Sequence, residues 1–132
     1  MDKRPISIPD INRSINRLFN WVPISAYQGY RSFTACLNKG AKCYDFARHK
    51  ARWILDKDLA READLEYLFC RYAFSGEGVE PHAVLAIYVG GVDDDPLILD
   101  NIVDRLLPLS ERDDLTEDAH IPYWDISPEE HD

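Results

Sequence analysis

The sequence predicts an α+β domain, with helices first and an antiparallel sheet after them. Three observations carry this reading. Apolar residues recur at helical spacing in two stretches of the first half. After Leu59 the spacing changes to alternation. Short apolar runs parted by turn-forming residues then continue as far as Leu99. A length of 132 residues fits one domain, and a hydrophobic content of 45% is enough to bury a core.

The first helix is expected to open at Asp10, a good N-cap after Ile8-Pro9. Ile11, Ile15, Leu18 and Phe19 then mark one face, and Trp21-Val22-Pro23 ends it because proline cannot continue a helix. Residues 24–42 carry scattered aromatics and read as an irregular loop, with a short helix around Phe33 to Leu37. A further helix begins near Cys43. Its apolar stripe is Cys43, Phe46, Ala47, Ala51, Ile54 and Leu55, which leaves Arg48, His49 and Lys50 for the solvated side. Residues 65–72 alternate as a strand with apolar side chains on both faces. Residues 75–78 form a turn, 83–89 a second strand, 90–96 a loop and 97–99 a third strand, giving a meander.

Charge narrows the partners. The net charge is -9 and the pI about 4.8, which disfavours nucleic acid and anionic membrane surfaces as partners. Residues 110–132 hold nine Asp or Glu against the single Arg112, so the body is close to neutral. That stretch reads as a solvated acidic tail, and the chain divides into a domain over 1–115 and a tail over 116–132. Three cysteines, Cys36, Cys43 and Cys70, make no disulfide framework. With no apolar segment of signal or membrane-span length visible, a cytoplasmic protein is expected. The sequence says nothing of oligomeric state.

The chemistry converges on Cys43. A thiolate, not a thiol, is the nucleophile, and a helix N-terminus favours the anion. Cys43 is the cysteine with that placement; taken alone, it is equally a small buried residue at a helix start. A hairpin centred on Gly91 would set His82 directly opposite Asp100, on one face of the sheet. Asp100 would then accept the Nδ1–H of His82, and the other ring nitrogen would take the Cys43 proton. His49, His120 and His131 are weaker candidates. No metal-ligand spacing is present, and Asp93-Asp94-Asp95 reads as a solvated hairpin tip.

Three blocks carry a resemblance. Ala41-Lys42-Cys43-Tyr44-Asp45-Phe46-Ala47, Pro81-His82-Ala83-Val84-Leu85-Ala86 and Leu97-Ile98-Leu99-Asp100-Asn101 resemble, in order, the nucleophile, histidine and aspartate blocks of the bacterial transglutaminase-like cysteine proteinases. Ile15-Asn16-Arg17-Leu18-Phe19-Asn20 and Arg105-Leu106-Leu107-Pro108-Leu109-Ser110 extend the likeness over residues 11–115. The resemblance implies a papain-like or transglutaminase-like core. In it the nucleophile sits at a helix N-terminus packed on a small antiparallel sheet, with Cys43 as nucleophile, His82 as base and Asp100 as its orienting acid. It also implies a cysteine peptidase that acts on a protein or peptide. A transglutaminase, deamidase or amidase would use the same triad, and a protein-binding relic would keep only the fold. Gln28, together with the Cys43 backbone N–H, is the candidate oxyanion donor. In the family, periplasmic members clip surface adhesins, and acidic residues beside the cysteine help bind calcium. Lys42 and Tyr44 occupy those positions here, and a cation repels Ca²⁺, so neither calcium nor another cofactor is expected.

Overall fold

The computed structural model describes residues 7–74, 78–89 and 95–126. The expected turn over 75–77, loop over 90–94, Asp93, Asp94 and His131 lie outside the described residues. Helix α1 runs Ile8–Leu18, α2 Phe33–Lys39 and α3 Cys43–Asp56. Strands follow at Leu65–Phe74 (β1), Gly78–Ile87 (β2), Leu97–Leu99 (β3), Leu107–Pro108 (β4) and Leu115–Pro122 (β5). They form one antiparallel sheet in the order β4-β3-β2-β1-β5, so the fold class is α+β.

The N-cap of α1 lies three residues before the expected one. Ser7 is extended and its Oγ accepts the Asp10 N–H at 3.3 Å, so serine is the N-cap and Asp10 belongs to the first turn. The helix stops at Leu18, and Phe19 is already extended. Ile11, Ile15 and Phe19 are buried as the period implied, whereas Leu18 is exposed. α2 covers the expected short helix and ends at Gly40. Gly40 has φ +93°, and a Cβ there would lie 2.7 Å from Val22 Cγ1, so glycine is required on both counts. The close approach lets Ala41 N–H donate to Asn20 O and Val22 N–H to Ala41 O, which ties the 20–22 segment beside the start of α3.

α3 is the central helix, and it departs from the expected pattern. Ala47, Ala51 and Ile54 pack on Leu65, Tyr67, Leu85, Ile87 and Leu99 of the sheet. Phe46 joins Ile15, Phe19, Cys36 and Ala41 in a second cluster with α1 and α2. Arg48, His49 and Lys50, expected in solvent, are buried. The helix is covered by more than the sheet, so one apolar stripe does not describe its buried surface. The opposite face of the sheet buries Leu68, Cys70, Val84, Ala86, Ile98 and Leu115, in line with a first strand apolar on both sides.

The hairpin register differs from the expected one by two residues. Leu85 pairs with Leu99 and Ile87 with Leu97, so the extended ladder sets Asp100 opposite Val84 rather than His82. A shift of two preserves alternation, and His82 and Asp100 stay on one side as diagonal neighbours. β2 begins at Gly78, earlier than expected, by pairing with β1. Among the described residues β3 pairs with residues 85–87 alone, which leaves residues 78–84 without a strand partner on that edge, where Pro81, which has no N–H, breaks no ladder. The stretch expected to be a solvated tail is paired as far as Pro122, because β5 extends the sheet alongside β1. Its side chains from Thr116 to His120 are exposed, so its charge pattern resembled that of a tail while its backbone is fixed.

Candidate active site

The site forms where the N-terminus of α3 meets the free edge of β2. Lys42 is the N-cap of α3, and its backbone N–H donates to Asp45 Oδ2 at 3.0 Å and to Tyr27 Oη at 3.2 Å. Asp45 is buried against Arg48 at 2.7 Å, and Arg48 also donates to Arg31 O at 2.8 Å. These bonds lock the first turn of α3, so Cys43 occupies its first position in a fixed frame. There the backbone N–H is one that a helix leaves without an intrahelical partner.

His82 lies on β2 opposite Cys70, and Asp100 follows β3 directly. Both are buried, with His82 Nε2 2.7 Å from Asp100 Oδ1. The nitrogen facing Asp100 is therefore Nε2 rather than the expected Nδ1, and Nδ1 is left for Cys43. Burial, the largest single influence, disfavours the imidazolium, but hydrogen bonding to Asp100 and Cys43 and their negative charge together outweigh it, holding His82 up at about 9. Burial likewise opposes ionisation of Asp100, yet His82 and Arg112 hold its carboxyl down at about 2. The geometry thus favours a charged histidine beside a carboxylate.

Arg112 is a site residue that sequence reasoning missed. Its Nη2 donates to Asp100 Oδ2 at 2.7 Å, and it also pairs with Asp114 at 3.0 Å. Asp100 Oδ1 further accepts the Ile102 N–H at 3.2 Å, so both carboxylate oxygens are fixed. The one available signal was a lone cation in an acidic stretch. Gln28 is exposed and lines neither cavity beside Cys43, so the structure does not bring it into the site. His49 is buried on Arg31 O at 3.0 Å, and His120 is engaged by Glu66 and Glu117, both away from the site.

Two cavities flank Cys43. One of about 510 Å³ is bounded by Trp21, Pro23, Ile24, Tyr72 and Ile102, and one of about 280 Å³ by Lys42, Tyr44, Phe69 and Asp118. Ile24, Cys43, Pro81 and His82 line both, so the thiol and the imidazole lie between the two cavities. Trp21, Ile24 and Ile102 are exposed apolar side chains lining the larger one.

Comparison with solved structures identifies the fold. LapG of Legionella pneumophila superposes with a TM-score of 0.68 at 23% identity, over 91% of this chain and 67% of that one. Its EGTA-treated form gives 0.68 at 24% identity over 91% and 65%, and its calcium-bound form 0.65 at 23% over 91% and 67%. The fold is the transglutaminase-like α+β fold of LapG. This chain spans about two thirds of the LapG length. No protein-family model and no curated protein matches it.

The residues beside Cys43 do not fit a calcium ion. Lys42 Nζ donates to Tyr27 O at 2.9 Å and lies 4.3 Å from the centre of the Tyr27 ring. Tyr44 packs edge-on against Tyr30 and Tyr67. Asp45, the adjacent acid, is already committed to Arg48 and the Lys42 N–H. Among the described residues, no group of three or more His, Cys, Asp or Glu is placed to hold a metal, and no helix is long and apolar enough to cross a membrane.

Proposed function

We propose that this protein is a cysteine peptidase that cleaves an amide bond in a protein or peptide through a thioester acyl-enzyme. The observation that supports the reading is that Cys43 and His82 together line two cavities, with His82 bonded to Asp100 behind them. In this mechanism the thiol proton of Cys43 rests on His82 before substrate reacts, and Cys43 Sγ attacks the carbonyl carbon as the thiolate. His82 passes that proton to the departing amine as the C–N bond breaks. Water, deprotonated by His82, then attacks the thioester and releases Cys43. Asp100 holds the ring and supports the imidazolium, and the Cys43 N–H at the start of α3 is the donor available to the oxyanion. LapG is a cysteine protease of this fold, which supports a hydrolase here.

A transglutaminase or deamidase would share the acyl-enzyme. The two cavities beside Cys43 favour a peptidase, because a scissile bond inside a chain needs room on both sides of the nucleophile. The test is iodoacetamide labelling at each cysteine, followed by peptide mass spectrometry. Cys43 is expected to react fast near pH 6 and to lose that advantage in His82→Ala, with no change on adding a calcium chelator. Burial raises the Cys36 thiol to about 11 and the Cys70 thiol to about 12, so both should stay silent. Labelling of Cys43 that ignores His82 would remove the enzyme reading and leave a protein-binding relic of the fold.

A further inference from the structure

We propose that the larger cavity is the specificity pocket of this site and takes a bulky apolar side chain, aromatic or branched aliphatic, from one fixed position beside the scissile bond. The inference rests on the peptidase reading above and adds the class of peptide that is cut. The cavity holds about 510 Å³, within the roughly 300–1,000 Å³ of ordinary ligand sites. Trp21 and Ile24 reach it from the segment before α2, Tyr72 from β1 and Ile102 from the segment after β3. Trp21 and Ile24 are each 51% exposed, and Ile102 is 43% exposed. A single exposed apolar side chain is ordinary, but three around one cavity leave apolar surface that a ligand can remove from water.

A pocket selects only if its walls are held. These walls are held by the bonds that also hold the reacting groups. Trp21 is bridged to Ala41, two residues before Cys43. On either side of it, Ala41 N–H donates to Asn20 O at 2.8 Å and Val22 N–H to Ala41 O at 3.0 Å. Ile102 N–H donates to Asp100 Oδ1 at 3.2 Å. From α1, Asn16 Nδ2 donates to Asp100 O at 2.8 Å and Asn12 Nδ2 to Asp104 O at 2.7 Å, which fixes the segment carrying Ile102. One wall is thus tied to the nucleophile and the other to the acid. A side chain seated against them sets its neighbouring carbonyl in a fixed place relative to Sγ.

Charge separates the two cavities. Among the described residues lining the larger one, Glu80 is the carboxylate and no Lys or Arg is present, so an acidic side chain is disfavoured there. The smaller cavity, about 280 Å³, has Lys42 and Asp118 in its wall. Less room and charge of both signs fit it for a smaller or polar residue. Selection for apolar bulk therefore belongs to the larger cavity.

The experiment uses chloroacetamides that alkylate Cys43 and carry an N-benzyl, N-methyl, N-aminoethyl or N-carboxymethyl group. Each rate is divided by the rate of the same reagent with free glutathione. The benzyl reagent should react at least about ten-fold faster than the methyl one, the scale of discrimination in an apolar pocket, and should saturate. Trp21→Ala and Ile102→Ala should each cut that ratio several-fold, whereas Trp124→Ala, exposed and outside both cavities, should not change it. A randomised peptide mixture, with its cuts read by mass spectrometry, should show Phe, Tyr, Trp, Leu or Ile enriched at one position beside the cut. Equal benzyl and methyl rates, preference for a charged reagent, or a ratio that survives both wall variants would overturn the pocket while the triad stands. Peptides left uncut, or cut without apolar enrichment, would overturn the substrate class. If Cys43 itself reacts as an ordinary thiol indifferent to His82, the triad reading fails, and this proposal with it.

Discussion

The two ends of α3 bury opposite kinds of residue. At its C-terminal half, Ala51 and Ile54 lie on Leu65, Tyr67 and Leu85, all of them apolar apart from one phenol. From its first turn to its middle the molecule buries Asp45, Arg48, Lys50, His82, Asp100 and Arg112. Apolar burial contributes stability without regard to direction, roughly 25 cal/mol per Å². Buried charge contributes only where pairs are well made, and otherwise opposes folding. The first region therefore holds the fold together. The second retains groups that folding alone would discard. Substitutions in the two regions should separate reactivity from stability.

The largest expected effect lies at the charged end. Asp100→Asn keeps the shape of the side chain but removes the charge that fixes the His82 tautomer, and turnover should fall by about 10⁴-fold on the scale known for other triads. Steady-state hydrolysis of a cleaved peptide measures this, and undiminished turnover would take Asp100 out of the mechanism. The matching change at the apolar end is Ile54→Ala. It should lower unfolding free energy in urea by about 2–5 kcal/mol and leave the rate of Cys43 alkylation in the folded chain unchanged. A large loss of alkylation there would mean that the two regions are one mechanical unit.

The same contrast explains what was legible in the sequence. Cys43, His82 and Asp100 stand in short local blocks, and the structure brings them together. Alternation fixed the shared side of His82 and Asp100, even though the register was off by two, because period-2 parity survives a shift of two. The register itself depends on the turn between β2 and β3, for which no residue pattern gives a length. Arg48 and Lys50 were assigned to solvent because helical period assumes one covered face, and α3 is covered on several. Arg112 was hidden for a topological reason. Its place beside Asp100 depends on β5 returning along β1, and the acidic side chains of that exposed strand gave it the look of a tail.

The smallest and sharpest separation is in pH. His82 is raised from 6.5 to about 9, so its contribution to stability is full below 6.5 and is lost as pH rises through 9. Lys50 is lowered from 10.5 to about 7, so folding releases its proton between those values and stability rises with pH across them. Between pH 7 and 9 the two slopes oppose each other, each about 1.4 kcal/mol per pH unit. The contributions of these two groups then largely cancel over this range. Lys50→Met removes the rising slope and should lose about 2 kcal/mol over the same range, measured by urea unfolding at each pH. Other titrating groups, such as His120, are common to both chains and cancel in the difference. A variant with the same pH slope as wild type would show that the buried amine of Lys50 carries no charge-linked strain, and that the charged stretch of α3 is less costly to the fold than its burial implies.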